Sequence, residues 1–187
     1  MVIHFITAAV ASAYVWMLPL MTGFTKAGSH SISGFIATPG ATGAMAVAFA
    51  GPFMAMLALE DATVVSPLRK ASFWTFVLGF AGFLIFCVDD FETLHYTSVG
   101  IFVFAFTVHA LYRARETKSS LGWALIVIGV TAFLIMVVIH LLADTIWFWA
   151  AECAGFTALL FFTPVELKAA AEDTYSRPHF GILGGGR

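Results

Sequence analysis

Six long apolar stretches divide this 187-residue chain, and its basic residues are concentrated in every second connection between them. The connections after the second, fourth and sixth stretches contain eight of the nine Lys and Arg residues, and the ninth is Lys26. Short connections rich in Lys and Arg stay on the cytoplasmic, matrix or stromal side of a membrane, because their translocation is disfavoured. The pattern therefore predicts six transmembrane helices with both termini inside.

The composition agrees with a membrane protein, since 60% of the residues are hydrophobic, only 11% are charged and the mean hydropathy is +0.94. Six spans of about 20 residues each occupy most of the chain, so no separate soluble domain is expected. The fold class predicted is an all-α, polytopic helix bundle, integral to a membrane that the charge pattern does not identify. The predicted spans are 3–24, 41–59, 72–88, 95–112, 121–143 and 145–163, followed by an inner-side tail over 164–187.

The net charge of −2 leaves no basic surface for nucleic acid, so nucleic-acid binding is not predicted. Basic residues at the inner end of the fourth span, which include Arg113 and Arg115, have a simpler interpretation. Juxtamembrane arginines fix orientation and contact anionic lipids. We therefore expect them at the membrane surface.

Glu152 is the most informative polar residue, because it lies seven residues into the sixth span. At 1.5 Å per residue this is about 10 Å below the outer boundary of the membrane. A carboxyl group at that depth is costly and needs a partner. Two interpretations remain open, a hydrogen bond to another helix or a role in handling a substrate or proton.

Two histidines are expected near the same depth as Glu152. His95 opens the fourth span at the outer side, and His140 lies one turn before Asp144 at the end of the fifth span. The four residues define a possible functional cluster in the outer half of the bundle. Imidazole and carboxylate groups bind zinc or non-haem iron, so a divalent metal is one alternative. No pair has the spacing of a helical metal motif, and we predict neither a metal site nor a catalytic residue.

A haem-binding alternative rests on the spacing of histidines in the fourth span. His95 and His109 are fourteen residues apart, which corresponds to about 21 Å along a helix. This spacing resembles that by which one helix of a b-type cytochrome ligates two haems. His140 would then face His95, and His4 would face His109. The alternative interpretation of His4 and His109 is an interfacial polar residue near a helix end, and no cofactor is predicted.

The order of landmarks resembles a known six-helix membrane family. The landmarks are the outer connection with SISG at 31–34 and Pro-Gly at 39–40, a second span rich in small residues, His95 at the start of the fourth span, and Glu152. The family includes the damage-regulated autophagy modulators and a Golgi protein that remodels GPI-anchor lipids. The resemblance implies a lipid-related role in which His95 and Glu152 face a lipid-headgroup cavity at the outer leaflet.

The function predicted is a non-catalytic integral membrane subunit, or lipid-interacting scaffold, of a larger membrane assembly. Lipids and other membrane protein subunits are its expected partners. The alternatives are a small membrane enzyme or b-type haem redox carrier that uses the outer cluster, and, more weakly, a transporter. A transporter is disfavoured because Pro52 and Glu152 supply little of the paired broken-helix symmetry of that class.

Overall fold

The computed structural model describes residues 1–21, 31–37, 39–61, 66–142 and 146–176, and every regular element within them is an α-helix. Six of these helices are long, and the seventh is a single short turn between the first two long ones. The helices are α1 (Val2–Met21), α2 (Ile32–Phe35), α3 (Pro39–Asp61), α4 (Pro67–Ile85), α5 (Glu92–Thr117), α6 (Ser120–Leu142) and α7 (Ile146–Ser176).

Among the described residues, five helices are long and apolar enough to cross a membrane, a property consistent with a multi-pass membrane protein. The first helix contributes a shorter apolar stretch, Val2–Leu18. A sixth span and the side on which the termini lie therefore remain predictions. The five candidate spans are Gly40–Ala58, Pro67–Ile85, Glu92–Thr117, Ser120–Ile139 and Trp147–Glu172.

Helix α7 is the central element of the bundle, where it packs against α1, α3, α5 and α6. It continues through Pro164 as far as Ser176, so the first half of the predicted 164–187 tail is an extension of the last span. Residues 177–187 lie outside the described part of the chain, as does Asp144, which precedes α7.

Helices α4 and α5 form a close antiparallel pair, and α5 packs much more loosely against α6. Close approach is possible because residue 79 has no side chain. A Cβ added to Gly79 would lie 2.7 Å from the backbone nitrogen of Phe102. The core between α3, α4, α5 and α7 is built from phenylalanines. The ring centroids of the stacked pair Phe49 and Phe80 are 5.5 Å apart. Those of Phe83 and Phe156 are 5.9 Å apart.

The two ends of the bundle differ in their polar residues and are named accordingly. The α2 end is the end at which α2 lies, together with His95 and Glu152. The arginine end is the opposite one, where Arg69 of α4 meets the C-terminal turn of α5. Long helices run between the two, so the polar groups of each end are separated by the apolar core.

Candidate functional site

Helix α2 is a short buried segment at one end of the bundle. Its N-cap is Ser31, whose Oγ accepts a hydrogen bond from the backbone N–H of Gly34 at 3.0 Å. All four residues of the helix are buried, and Ile32 has no exposed surface. A single turn of helix is not stable by itself, so α2 depends on the long helices that surround it.

Glu152 of α7 holds the start of α2. Its Oε2 accepts a hydrogen bond from the backbone N–H of Ile32 at 2.5 Å. This N–H belongs to the first turn of a helix and has no partner within that helix. The contact therefore supplies a donor to a carboxyl group among apolar helices, and an acceptor to a backbone group that would otherwise be unsatisfied.

His95 of α5 holds the same segment from a second side. Its Nδ1 lies 2.7 Å from the carbonyl oxygen of Phe86, and its Nε2 lies 2.8 Å from Oγ of Ser33. A carbonyl oxygen only accepts, so Nδ1 donates, and in the neutral ring Nε2 accepts the hydroxyl hydrogen of Ser33. The buried imidazole thus links α5, the end of α4 and α2.

The structure therefore brings His95 and Glu152 to neighbouring residues of α2. It does not describe the other two members of the predicted cluster, since Asp144 and the side chain of His140 lie outside the described residues. No group of three or more His, Cys, Asp or Glu side chains able to hold a metal occurs in the described part of the chain. A metal or haem bound at His95 would have to replace one of its two hydrogen bonds.

The remaining predicted haem ligands lie away from α2. His109 is buried at the arginine end, where its ring packs on Phe73 with 5.5 Å between centroids. His4 lies in the first turn of α1, and its carbonyl oxygen accepts a hydrogen bond from the hydroxyl of Thr7. Neither contact tests haem binding, which remains a prediction.

An apolar cavity of about 310 Å³ lies between α5, α6 and α7 and includes Glu152 in its wall. Its wall is formed by Phe83 and by residues from the segments 99–110 of α5, 125–136 of α6 and 151–162 of α7. Phe104, which lines the cavity, is 71% exposed. The cavity therefore opens sideways, on the outer surface of the bundle, where α5 and α6 are loosely packed.

The arginine end contains a second polar cluster, which the sequence led us to expect at the surface. Arg69 and Arg113 are buried, and the guanidinium groups of both contact Oε2 of Glu116, at 3.4 Å for Arg113. On α7, Oε2 of the buried Glu166 accepts a hydrogen bond from the hydroxyl of Thr117 at 2.5 Å. These contacts join α4, α5 and α7.

A sequence signal for this second cluster does exist. His109, Arg113 and Glu116 are separated by four and three residues, the spacing that places side chains on one helix face. Arg115 falls outside this face and is exposed. The number of basic residues at a helix end indicates topology, but it does not indicate the direction in which each side chain points.

Comparison of the chain with protein-family models, curated proteins and solved structures finds no match.

Proposed function

We propose that this chain is a non-catalytic integral membrane protein that binds the hydrocarbon chain of a lipid between α5, α6 and α7, as a scaffold or subunit within a membrane. The observation that carries the proposal is the sideways-opening apolar cavity. At membrane depth the medium outside such an opening is lipid. A lipid chain is therefore the occupant with direct access.

The size and lining of the cavity suit one hydrocarbon chain. Ligand cavities of about 300–1,000 Å³ with mainly apolar walls are usual for small molecules, and this one has about 310 Å³. Its wall on α5 extends from Val99 to Ala110, which corresponds to about 16 Å of helix. Phenylalanine and branched aliphatic side chains provide most of the contact surface.

The bonding of His95 and Glu152 supports a non-catalytic role. Both groups position α2 through hydrogen bonds of 2.5–2.8 Å. Membership of a larger assembly and the resemblance to the six-helix lipid-related family stay predictions. Three of the landmarks on which that resemblance rests, residues 31–34, His95 and Glu152, meet in this one cluster.

The test uses a lipid that carries a photoreactive diazirine in its hydrocarbon chain. We expect saturable labelling of cavity residues on α5, α6 and α7, competed by the unlabelled lipid. Gly100→Phe should lower this labelling by about tenfold, because the ring occupies cavity space and a bound chain would overlap it. Labelled peptides are identified by mass spectrometry.

Gly43→Phe is the matched control for this substitution. A Cβ added at Gly43 or at Gly100 meets no heavy atom within 4 Å, yet only Gly100 lines the cavity. Labelling should be unchanged in the control. Equal, non-saturable labelling of the exposed face of α4, for example at Leu78, would show that the cavity has no preference for lipid.

One observation favours a second candidate function, the transfer or hydrolysis of a lipid acyl group. Ser33 Oγ and His95 Nε2 are 2.8 Å apart, within the reach of a nucleophile and its base. The carbonyl oxygen of Phe86 orients the imidazole, where a carboxylate does so in a Ser-His-Asp triad. A long-chain fluorophosphonate should then modify Ser33 in the native chain and not in His95→Ala. An unmodified Ser33 in the folded protein would exclude this function.

A further inference from the structure

Glu152 is the one acidic side chain among the lining residues that the structure describes. Thr107 is the other polar side chain among those residues, and its hydroxyl already donates to the carbonyl oxygen of Val103 at 2.8 Å. Within the described part of the chain, Ile32 N–H is the single hydrogen-bond donor to the Glu152 carboxyl group. That bond uses Oε2, and the cavity lies beside the same carboxyl group.

A carboxyl group at membrane depth needs hydrogen-bond partners for both of its oxygens, since the surrounding apolar helices offer little compensation. The first donor comes from the protein and occupies one oxygen. Among the described lining residues the other side chains are apolar or already bonded, so we infer that the second partner is a group in the cavity. The cavity therefore suits a molecule that is apolar along its length and has a donor at one end.

We propose, on the basis of the lipid-binding function above, that the ligand is a lipid with a hydroxyl group at its head, and that this hydroxyl donates to Oε1 of Glu152. A hydroxyl supplies one donor to one remaining acceptor oxygen. An ammonium group would bring three donors into the same apolar surroundings and leave two of them without acceptors. The ligand class is thus a long-chain alcohol or a lipid with a free hydroxyl near one chain.

The position of Glu152 sets the direction of the bound lipid. Glu152 lies in the part of the wall nearest the start of α7, whereas Ala110 and Phe162 line the end nearest the arginine cluster. The head group is therefore at the α2 end. The hydrocarbon chain extends along α5 and α7 towards the arginine end.

The experiment compares a long-chain alcohol with its methyl ether as competitors of the photoreactive lipid on the full chain in mild detergent. The two have nearly the same hydrocarbon surface, and only the alcohol donates a hydrogen bond. One additional hydrogen bond has a net value of about 0.5–1.5 kcal/mol, so the alcohol should compete at an about three- to tenfold lower concentration. Equal competition by the two compounds would overturn the hydroxyl assignment.

Glu152→Gln tests whether Glu152 is the residue that accepts the hydrogen bond from the hydroxyl group of the ligand. Its side-chain oxygen still accepts from Ile32 N–H, while its NH₂ group replaces the acceptor that faces the ligand. The preference for alcohol over ether should fall to about one. Glu172→Gln is the control, because this exposed acid of α7 does not line the cavity. A preference unchanged in Glu152→Gln would assign the selectivity to another group.

The outcomes separate this inference from the proposed function. If alcohol and ether both displace the probe equally, the lipid site stands and the hydroxyl recognition fails. If no competitor displaces the probe from the native chain, the lipid-binding function itself fails. The comparison on the native chain requires no variant, so it remains decisive even if Glu152→Gln lowers the folded yield.

Discussion

Both ends of the bundle contain polar groups buried among apolar helices, but these groups have different kinds of partner at the two ends. At the α2 end, Glu152 and His95 hydrogen-bond a backbone N–H and a serine hydroxyl of a short segment. At the arginine end, two buried guanidinium groups from α4 and α5 share the carboxylate of Glu116. The first arrangement positions one segment beside a cavity, and the second joins long helices to one another.

This difference predicts which kind of stability each end controls. A buried charge that loses its partner destabilises the entire folded state. A hydrogen bond to a short segment contributes mainly to the order of that segment, because local units can open while the bundle remains folded. Substitutions at the arginine end should therefore change global unfolding, and those at the α2 end should change local exposure.

Among the predicted substitutions, Glu116→Ala should lower the free energy of unfolding most. The substitution removes the carboxylate that both buried arginines contact, and loss of one member of a buried ion pair costs about 3–5 kcal/mol. We expect a loss of about 3 kcal/mol, the low end of that range, because the Glu116 side chain is 40% exposed. The free energy of unfolding is measured by titration with a denaturing detergent.

Arg115→Ala is the control at the adjacent position. Arg115 is exposed, so its removal should change the free energy of unfolding by less than about 0.5 kcal/mol. Replacing Arg69, Arg113 and Glu116 together by Met should recover part of the stability lost in Glu116→Ala, because the two buried guanidinium groups are removed together with the carboxylate that both contact. Equal losses in Glu116→Ala and Arg115→Ala would remove the distinction between the two ends.

The second effect is expected for His95→Ala at the α2 end. The variant loses both ring hydrogen bonds, to Phe86 and to Ser33, each worth about 0.5–1.5 kcal/mol. Hydrogen exchange of the amides in residues 32–36 should accelerate by about tenfold or more. The exchange rates of amides in the middle of α4 and α7 should change little.

Thr97→Ala provides the comparison for this measurement. Thr97 is an exposed residue two positions along the same helix, and its hydroxyl bonds only within α5, to the carbonyl oxygen of Thr93. Exchange in residues 32–36 should remain at the native rate. If His95→Ala instead accelerates exchange throughout the bundle, the imidazole supports the global fold and the assignment of local stability to the α2 end is wrong.

The sequence supported prediction of the long apolar helices, because hydropathy over about 20 residues depends little on tertiary context. It also singled out His95 and Glu152, since polar groups at membrane depth are few and need partners. Their actual partners, Ile32 and Ser33, lie in a Gly- and Ser-rich connection whose conformation depends on the surrounding helices. The local sequence pattern does not indicate that this segment forms a short helix packed against the long helices.

The buried arginines were missed for a different reason. Basic residues at helix ends have a sufficient explanation in membrane topology, and nothing in their number distinguishes a buried arginine from an exposed one. The direction of Arg113 depends on how α5 packs against α4, which is a property of the folded bundle. Glu166 was placed in a tail after Pro164, whereas α7 continues through that proline.

The smallest effect is expected at Gly122 of α6, which brings a fourth helix to the arginine end. A Cβ at this position would overlap Oε1 of Glu166, the end of a flexible side chain. In Gly122→Ala the carboxylate should move away, with loss of its hydrogen bond from Thr117. Ala is favoured over Gly in a helix by about 1 kcal/mol, so the two effects nearly offset and the free energy of unfolding should change by at most about 1 kcal/mol.

Gly129→Ala separates these two contributions on the same helix. Its added Cβ would meet only the Cβ of Ala158, at an ordinary contact distance of 3.7 Å. The helix-forming preference of Ala should therefore stabilise this variant by up to about 1 kcal/mol. The difference between the two variants measures the contribution of Glu166 to the joining of α5, α6 and α7. Equal stabilisation of both variants would indicate that Glu166 does not help to join the helices at the arginine end, and that the contacts of Glu116 alone do so.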